Sequence, residues 1–240
     1  MIDGGFIKIL PAIFLLIACA MPAALPVGST TVSAGTPITL GTLSPVSASA
    51  LGGNVTELNL SIASVTLHWQ GFYGSITASL QLGTGSGGEN STLKQWAVGN
   101  ISGQMYASRS STVDFTLLNS TPTTLSDLDS AFSFLQGAND AATNSGTDSA
   151  NPAFNIGQYA VEANSFPLIR SRDDSGNEVW DEIVMRHATD GNPSDFVFVG
   201  ILNNSGVAFN GEAAHFQLVV PEDSAGDATS TTYYFYGEIQ

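Results

Sequence analysis

The 240-residue sequence is poor in cysteine, in basic residues and in charge of either sign. Its one cysteine, Cys19, cannot form an intrachain disulfide, so stability must come from a core and from assembly. Six basic residues (Lys8, Lys94, Arg109, Arg170, Arg172 and Arg186) face 21 acidic ones, for a net charge of -15. That balance argues against nucleic acid and against anionic membrane surfaces as partners. Charged residues are 11% of the chain, well under the usual share of about 25%. Ser, Thr, Asn and Gly take their place, which is a secreted or surface composition.

Long apolar runs are also missing. Ile9 to Ala18 is a short one, preceded by Lys8 and followed by small residues: the anatomy of a signal peptide, too short to span a bilayer comfortably. Residues 1–24 are expected to be removed on export, leaving about 215 residues with no membrane span. Leu16-Ile17-Ala18-Cys19 resembles the lipobox of bacterial lipoproteins, which makes Cys19 a lipidation candidate beside simple cleavage at an A-x-A site. No cell-wall sorting motif, fixed-period repeat or transmembrane tail is visible.

The usual marks of catalysis are scarce. His68, His187 and His215 fall on different expected strands with no partner at H-x-x-x-H or H-x-H spacing, so zinc is not expected. There is no G-x-S-x-G. Gly83 to Gly88, GTGSGG, formally matches a dinucleotide-binding turn, but no long helix follows and no βαβ unit surrounds it, so it reads as a hairpin loop. Asp114, Glu162, Glu178, Asp181 and Glu182 are the carboxylates available for glycoside hydrolysis, and solvated faces account for them better. The chain is not expected to be an enzyme.

What is present is strand after strand. Leu67 to Leu82 is the expected centre: Phe72, Ile76, Ala78 and Leu80 share one parity and Tyr73, Ser75, Thr77, Ser79 and Gln81 the other, as a half-buried strand requires. Further strands are expected at 101–107, 112–118, 153–156, 158–163, 166–170, 178–187, 195–202, 215–221 and 231–239, separated by turns such as Asp173-Asp174-Ser175-Gly176-Asn177. One helix is expected after Thr124, with Leu125, Leu128, Phe132 and Leu135 on its apolar stripe and Gly137 ending it. Residues 138–151 read as an exposed loop. The expected fold is all-β, a two-sheet sandwich or jelly roll with one short helix, occupying residues 53–240.

Residues 25–52 are uncharged and rich in Ser, Thr, Gly and Pro. Val32, Ile38, Leu40, Leu43 and Val46 are nevertheless spaced as in strands, with Pro37 and Pro45 suited to an edge or to exchange between subunits. Six sequons, at Asn54, Asn59, Asn90, Asn100, Asn119 and Asn203, are glycosylation candidates. Asp173, Asp174, Asn177 and Glu178 place hard oxygen ligands close together, so calcium is the one cofactor considered.

The segments WQGFYG (Trp69 to Gly74), MYAS (Met105 to Ser108) and TTYYFYGEI (Thr231 to Ile239) resemble uncharacterised exported surface β-proteins of archaea and some bacteria. The resemblance implies a location outside the cell and lends no activity. In architecture the chain is also similar to biofilm-matrix fibre proteins and archaeal bundling pilins, whose subunits pass a strand to the next subunit. The expected function is therefore an extracellular structural subunit of a filament, sheath or surface layer, partnered by itself. A carbohydrate- or ligand-binding module, with surface glycans as partners, is the alternative. It would need exposed aromatics, and Tyr73, Trp96, Tyr106, Tyr233 and Tyr236 are the candidates. A secreted hydrolase comes third.

Overall fold

The computed structural model describes residues 25–28, 64–83, 92–222 and 230–240. In chain order these form β1 (Val27–Gly28), β2 (Trp69–Gly74), β3 (Ser79–Gly83), β4 (Thr92–Ala97) and β5 (Gly103–Ser108), then the short helices α1 (Leu125–Ala131) and α2 (Ala142–Ser145). There follow β6 (Gly146–Thr147), β7 (Phe154–Ile156), β8 (Tyr159–Val161), β9 (Leu168–Arg172), β10 (Glu178–Arg186) and β11 (Phe196–Ile201). β12 (Gly206–Val207), β13 (Ala213–Ala214), β14 (Phe216–Pro221) and β15 (Tyr234–Ile239) complete them. The chain is all-β, as its turn rhythm implies.

The principal sheet has the order β1-β15-β5-β11-β10-β9-β6 and is antiparallel throughout. Its middle is β11, an unbroken apolar run, FVFVGI. Successive side chains of a strand point to opposite faces, so such a run needs cover on both sides. It has it: Phe196, Val197, Phe198 and Val199 are all at 0% exposure. Phe196 and Phe198 enter one core with Ala107, Ile169 and Val184, roofed by Leu125, Leu128, Phe132, Leu218 and Val220. Val197 and Val199 enter a second core with Tyr106, Leu168, Ile183 and Met185, closed by Phe115, Leu118, Ile156 and Val161. β14 pairs with β2, and this ribbon lies over β10 and β11 as the second layer of the sandwich.

The expected centre at residues 67–82 is therefore not the centre. It is two strands: β2 belongs to the second layer, and β3 leaves it to pair with β4. The alternation is real, but alternation reports two unlike faces without naming what covers either one. Residues 112–118 are not a strand either. The Asp114 carboxylate accepts from Thr116 N (3.0 Å) and Thr116 Oγ1 (2.6 Å), an Asx turn that competes with extended pairing. Phe115 and Leu118 reach the second core from that turn, whereas Leu117 is exposed.

The helix begins where expected. Thr124 and Asp127 form a reciprocal capping box, and Leu125 and Leu128 are buried. It ends at Ala131 rather than near Gly137, and Leu135 is 74% exposed instead of continuing the stripe. Ser133 takes φ 57°, and the Asp129 carboxylate reaches forward to Ala142 N (2.6 Å) and Thr143 Oγ1 (2.7 Å), starting α2. Residues 138–151 are consequently no open loop: Ala141, Ala142 and Asn151 are buried. Asn151 Oδ1 accepts from Ser165 N (2.7 Å) and Phe166 N (2.8 Å), and its Nδ2 donates to Pro152 O and Glu162 O.

Buried polar groups fix the sheet's register. Glu238 Oε2 accepts from the Tyr106 hydroxyl (2.9 Å) and Oε1 from Gly157 N (2.8 Å) and Gln240 Nε2 (3.0 Å), joining β15, β5 and the β7–β8 turn. Burial, and then the Glu238 charge, push the Tyr106 hydroxyl pKa far up. Glu182 on β10 is 2% exposed; its Oε2 accepts from Val219 N (2.6 Å), while Oε1 has no hydrogen-bond partner among the described residues. Burial raises its pKa to about 8. Gly206 is required by packing, since a Cβ there would lie 2.1 Å from the Trp180 ring.

Candidate interaction surface

The residues singled out by sequence do not converge on a catalytic centre. His68 Nδ1 donates to Asp140 Oδ2 (3.0 Å), a partner 72 residues away that no spacing rule could find. Thr66 Oγ1 donates to the same oxygen, and Trp69 Nε1 to the Asp140 carbonyl (2.6 Å), with Phe134 beside both rings. The Thr66 hydroxyl, then His68, holds the Asp140 carboxyl below its ordinary range. His187 Nε2 donates to Ser194 O (3.1 Å), and His215 Nδ1 accepts from Ile76 N (3.0 Å). Of the carboxylates, Asp181 pairs with Arg170 (2.7 Å), Glu178 with Arg172 (3.4 Å), Asp114 serves its Asx turn and Glu182 is sealed beneath β14. Glu162 is exposed.

The Asp173–Glu178 turn is a hairpin tip held by its own donors. Asp173 Oδ1 accepts from Ser175 N (3.0 Å) and Asn177 N (2.8 Å), and Oδ2 from Asn177 Nδ2 (3.2 Å). Asp174 Oδ1 accepts from Ser175 Oγ (3.4 Å). Backbone donation from Asn177 leads the causes that hold the Asp173 carboxyl below its usual range. Among the described residues no group of three His, Cys, Asp or Glu side chains is placed to hold a metal ion. Of the sequons, Asn100 and Asn203 are exposed and Asn119 is half-buried in a turn. Cys19, Asn54, Asn59 and Asn90, residues 1–24, and the assembly residues Val32, Ile38, Leu40, Leu43 and Val46 lie outside the described residues.

The candidate aromatics are dispersed. Tyr106 is fully buried, and Tyr233 and Tyr236 are half-buried with their hydroxyls donating to Pro221 O (2.7 Å) and Ser110 O (2.9 Å). Tyr73 packs edge-on to Phe209 at 5.4 Å, its hydroxyl between Glu212 and Asn210. Trp96 alone among them is exposed, at 46%, and it lies on the β3–β4 ribbon.

That ribbon is the surface sequence reasoning missed. Leu80 pairs with Trp96 and Leu82 with Lys94, so these four side chains share a face, while Ser79, Gln81, Gln95 and Ala97 share the other. Both faces are in solvent. Leu80 and Leu82 are 59% and 53% exposed, and Leu93, at the bulge beside Lys94, is 81% exposed. At its foot Ile76 and Val98 pack on the first core, and beyond them the ribbon's extended pairing is with itself. The antiparallel pairing across residues 84–91 agrees with the hairpin read from GTGSGG. The missed signal was the T-L-K-Q-W-A pattern after that turn.

Charge divides the chain between residues 113 and 114, beyond the ribbon and β5. Residues 1–113 hold three acidic and three basic residues, and residues 114–240 hold eighteen acidic and three basic ones. The second part thus carries the whole net charge of -15. Lys94 is the only charged residue in the described stretches between 64 and 108.

A second feature lies at the sheet's edge. β1 pairs only Val27 with Gly237 and Gly28 with Tyr236, so among the described residues the outer edge of β15 is covered at two positions of its six. No helix of the described residues is long and apolar enough to cross a membrane. Comparison with family models, with curated proteins and with solved structures finds no significant match in any of the three.

Proposed function

We propose that the chain is an exported structural subunit that works by assembling with copies of itself outside the cell. The observation that carries this reading is the β15 edge, paired among the described residues by Val27 and Gly28, the start of a segment that runs on without charge to residue 55. Unpaired edge groups recruit strands. Residues 27–28 already make the antiparallel pairing that a donated strand would make, and the same pairing formed with a neighbour's β15 is strand exchange. The segment from Val32 to Val46 follows directly and supplies apolar residues with no charge to desolvate. Deleting residues 25–46 should abolish polymers seen by electron microscopy and size exclusion. Polymers that persist in the deletion would refute the mechanism.

A carbohydrate-binding reading has one specific observation in its favour. Phe209 is 49% exposed beside Tyr73, with Asn210 and Glu212 at the rim, an aromatic platform with polar neighbours. Phe209→Ala should then weaken retention on immobilised glycans at least tenfold. Equal retention of both forms would remove this reading.

A further inference from the structure

We propose that the apolar face of the β3–β4 ribbon is a two-fold contact between two copies of this chain, separate from strand exchange at β15. An isolated two-stranded ribbon is marginal in water and needs cover on an apolar face. Leu80, Leu82 and Trp96 form such a face, more than two-fifths exposed at each position.

Charge identifies the occupant. Between Glu57 and Asp114 the sequence carries one acid, Glu89, whereas everything from Asp114 on is strongly acidic. Copies that met through residues 114–240 would set like charges against each other. Copies laid ribbon on ribbon bring neutral surface to neutral surface and keep both acidic parts outward. The contact is isologous, so each Trp96 meets the other copy's Leu80 and Leu82 while the Lys94 stem flanks them with its ammonium at the wet rim. Strand exchange is head-to-tail and extends a chain of subunits; this contact joins subunits sideways.

The test uses the chain without residues 1–24, the form expected after export. With residues 25–46 deleted, so that strand exchange is absent, sedimentation over rising concentration should show a monomer–dimer step, weakened at least tenfold by L80D with W96D and changed less than twofold by Q81D with Q95D on the opposite face. The ribbon lies beyond both cores, so at concentrations where the chain is monomeric all four substitutions should leave the melting temperature unchanged. As a second reading, Trp96 emission, taken as the difference from Trp96→Phe, should move to the blue as dimer forms. Deleting residues 25–46 should leave the dimer intact, so failure of strand exchange and failure of the ribbon contact are read separately. Dimerisation unaffected by L80D with W96D would overturn the contact. So would a chain that stays monomeric with Trp96 shielded from acrylamide, the mark of a ribbon covered by its own residues 29–63.

Discussion

β11 and β3 are strands of antiparallel pairs in one chain, yet β11 is buried on both faces and β3 on neither. What separates them is layering. β11 has α1 and β14 above it and the β7–β8 hairpin and the Phe115 turn below. Among the described residues β3 pairs with β4 and with no other strand. Backbone pairing makes a strand, and a second and third layer make it core. The described residues of the ribbon carry one charge, Lys94, while residues 114–240, which supply most of both cores, carry eighteen acidic residues.

The sharpest way to break this contrast is to remove one ring from the buried strand. Phe198→Ala should cost about 3–5 kcal/mol in urea unfolding, because a cavity opens between β14, Phe132 and the sheet. A loss near 1 kcal/mol would mean that the first core is loosely packed. Next in size is Glu182. Its pKa is raised on folding, so the folded state favours the protonated acid, and stability is greatest below the unfolded value and falls as pH rises from about 4.5 towards 8. Glu182→Gln should remove that fall, gaining on the order of 3 kcal/mol at pH 9 and little at pH 4. Parallel pH–stability curves for the two proteins would sink it.

Gly206→Ala should cost about 2 kcal/mol, since a single methyl must displace the Trp180 ring or the β12–β13 backbone. Its near-ultraviolet dichroism should change along with its denaturation midpoint. The smallest effect belongs to the ribbon: Leu93→Lys should move stability by less than about 0.5 kcal/mol, as substitutions at exposed sites do. A larger loss in the monomer would show that the ribbon is tied to the body more firmly than its exposure indicates.

The positions of most strands were legible, and for a physical reason. Turn clusters such as Asp190-Gly191-Asn192-Pro193 force reversals, and the runs between them pair with neighbours. The helix start was legible because a capping box is local. Which strand lies at the centre was not, because FVFVGI and the alternating stretch at 67–82 are both good strands and only a layer distant in sequence separates them. Thr112 to Leu118 failed on a competition between alternation and one carboxylate that captures its own backbone. The His68–Asp140 pair was invisible because the ligand-spacing rules act over a few residues. The neutral and acidic halves were visible in the sequence, but the division gained meaning only once the neutral half was seen to carry an uncovered face.

The order of the sheet also bears on when the protein can fold. β5 ends at Ser108 and is held between β11 and β15, whose residues come about ninety and a hundred and thirty positions later. Pairings so remote in sequence form slowly, because a long loop must close before any contact rewards it. Among the described residues of the first half, the β3–β4 hairpin is the one local pairing. The sheet therefore cannot be completed until residues 234–239 are available, so its β15 edge is the last part to close.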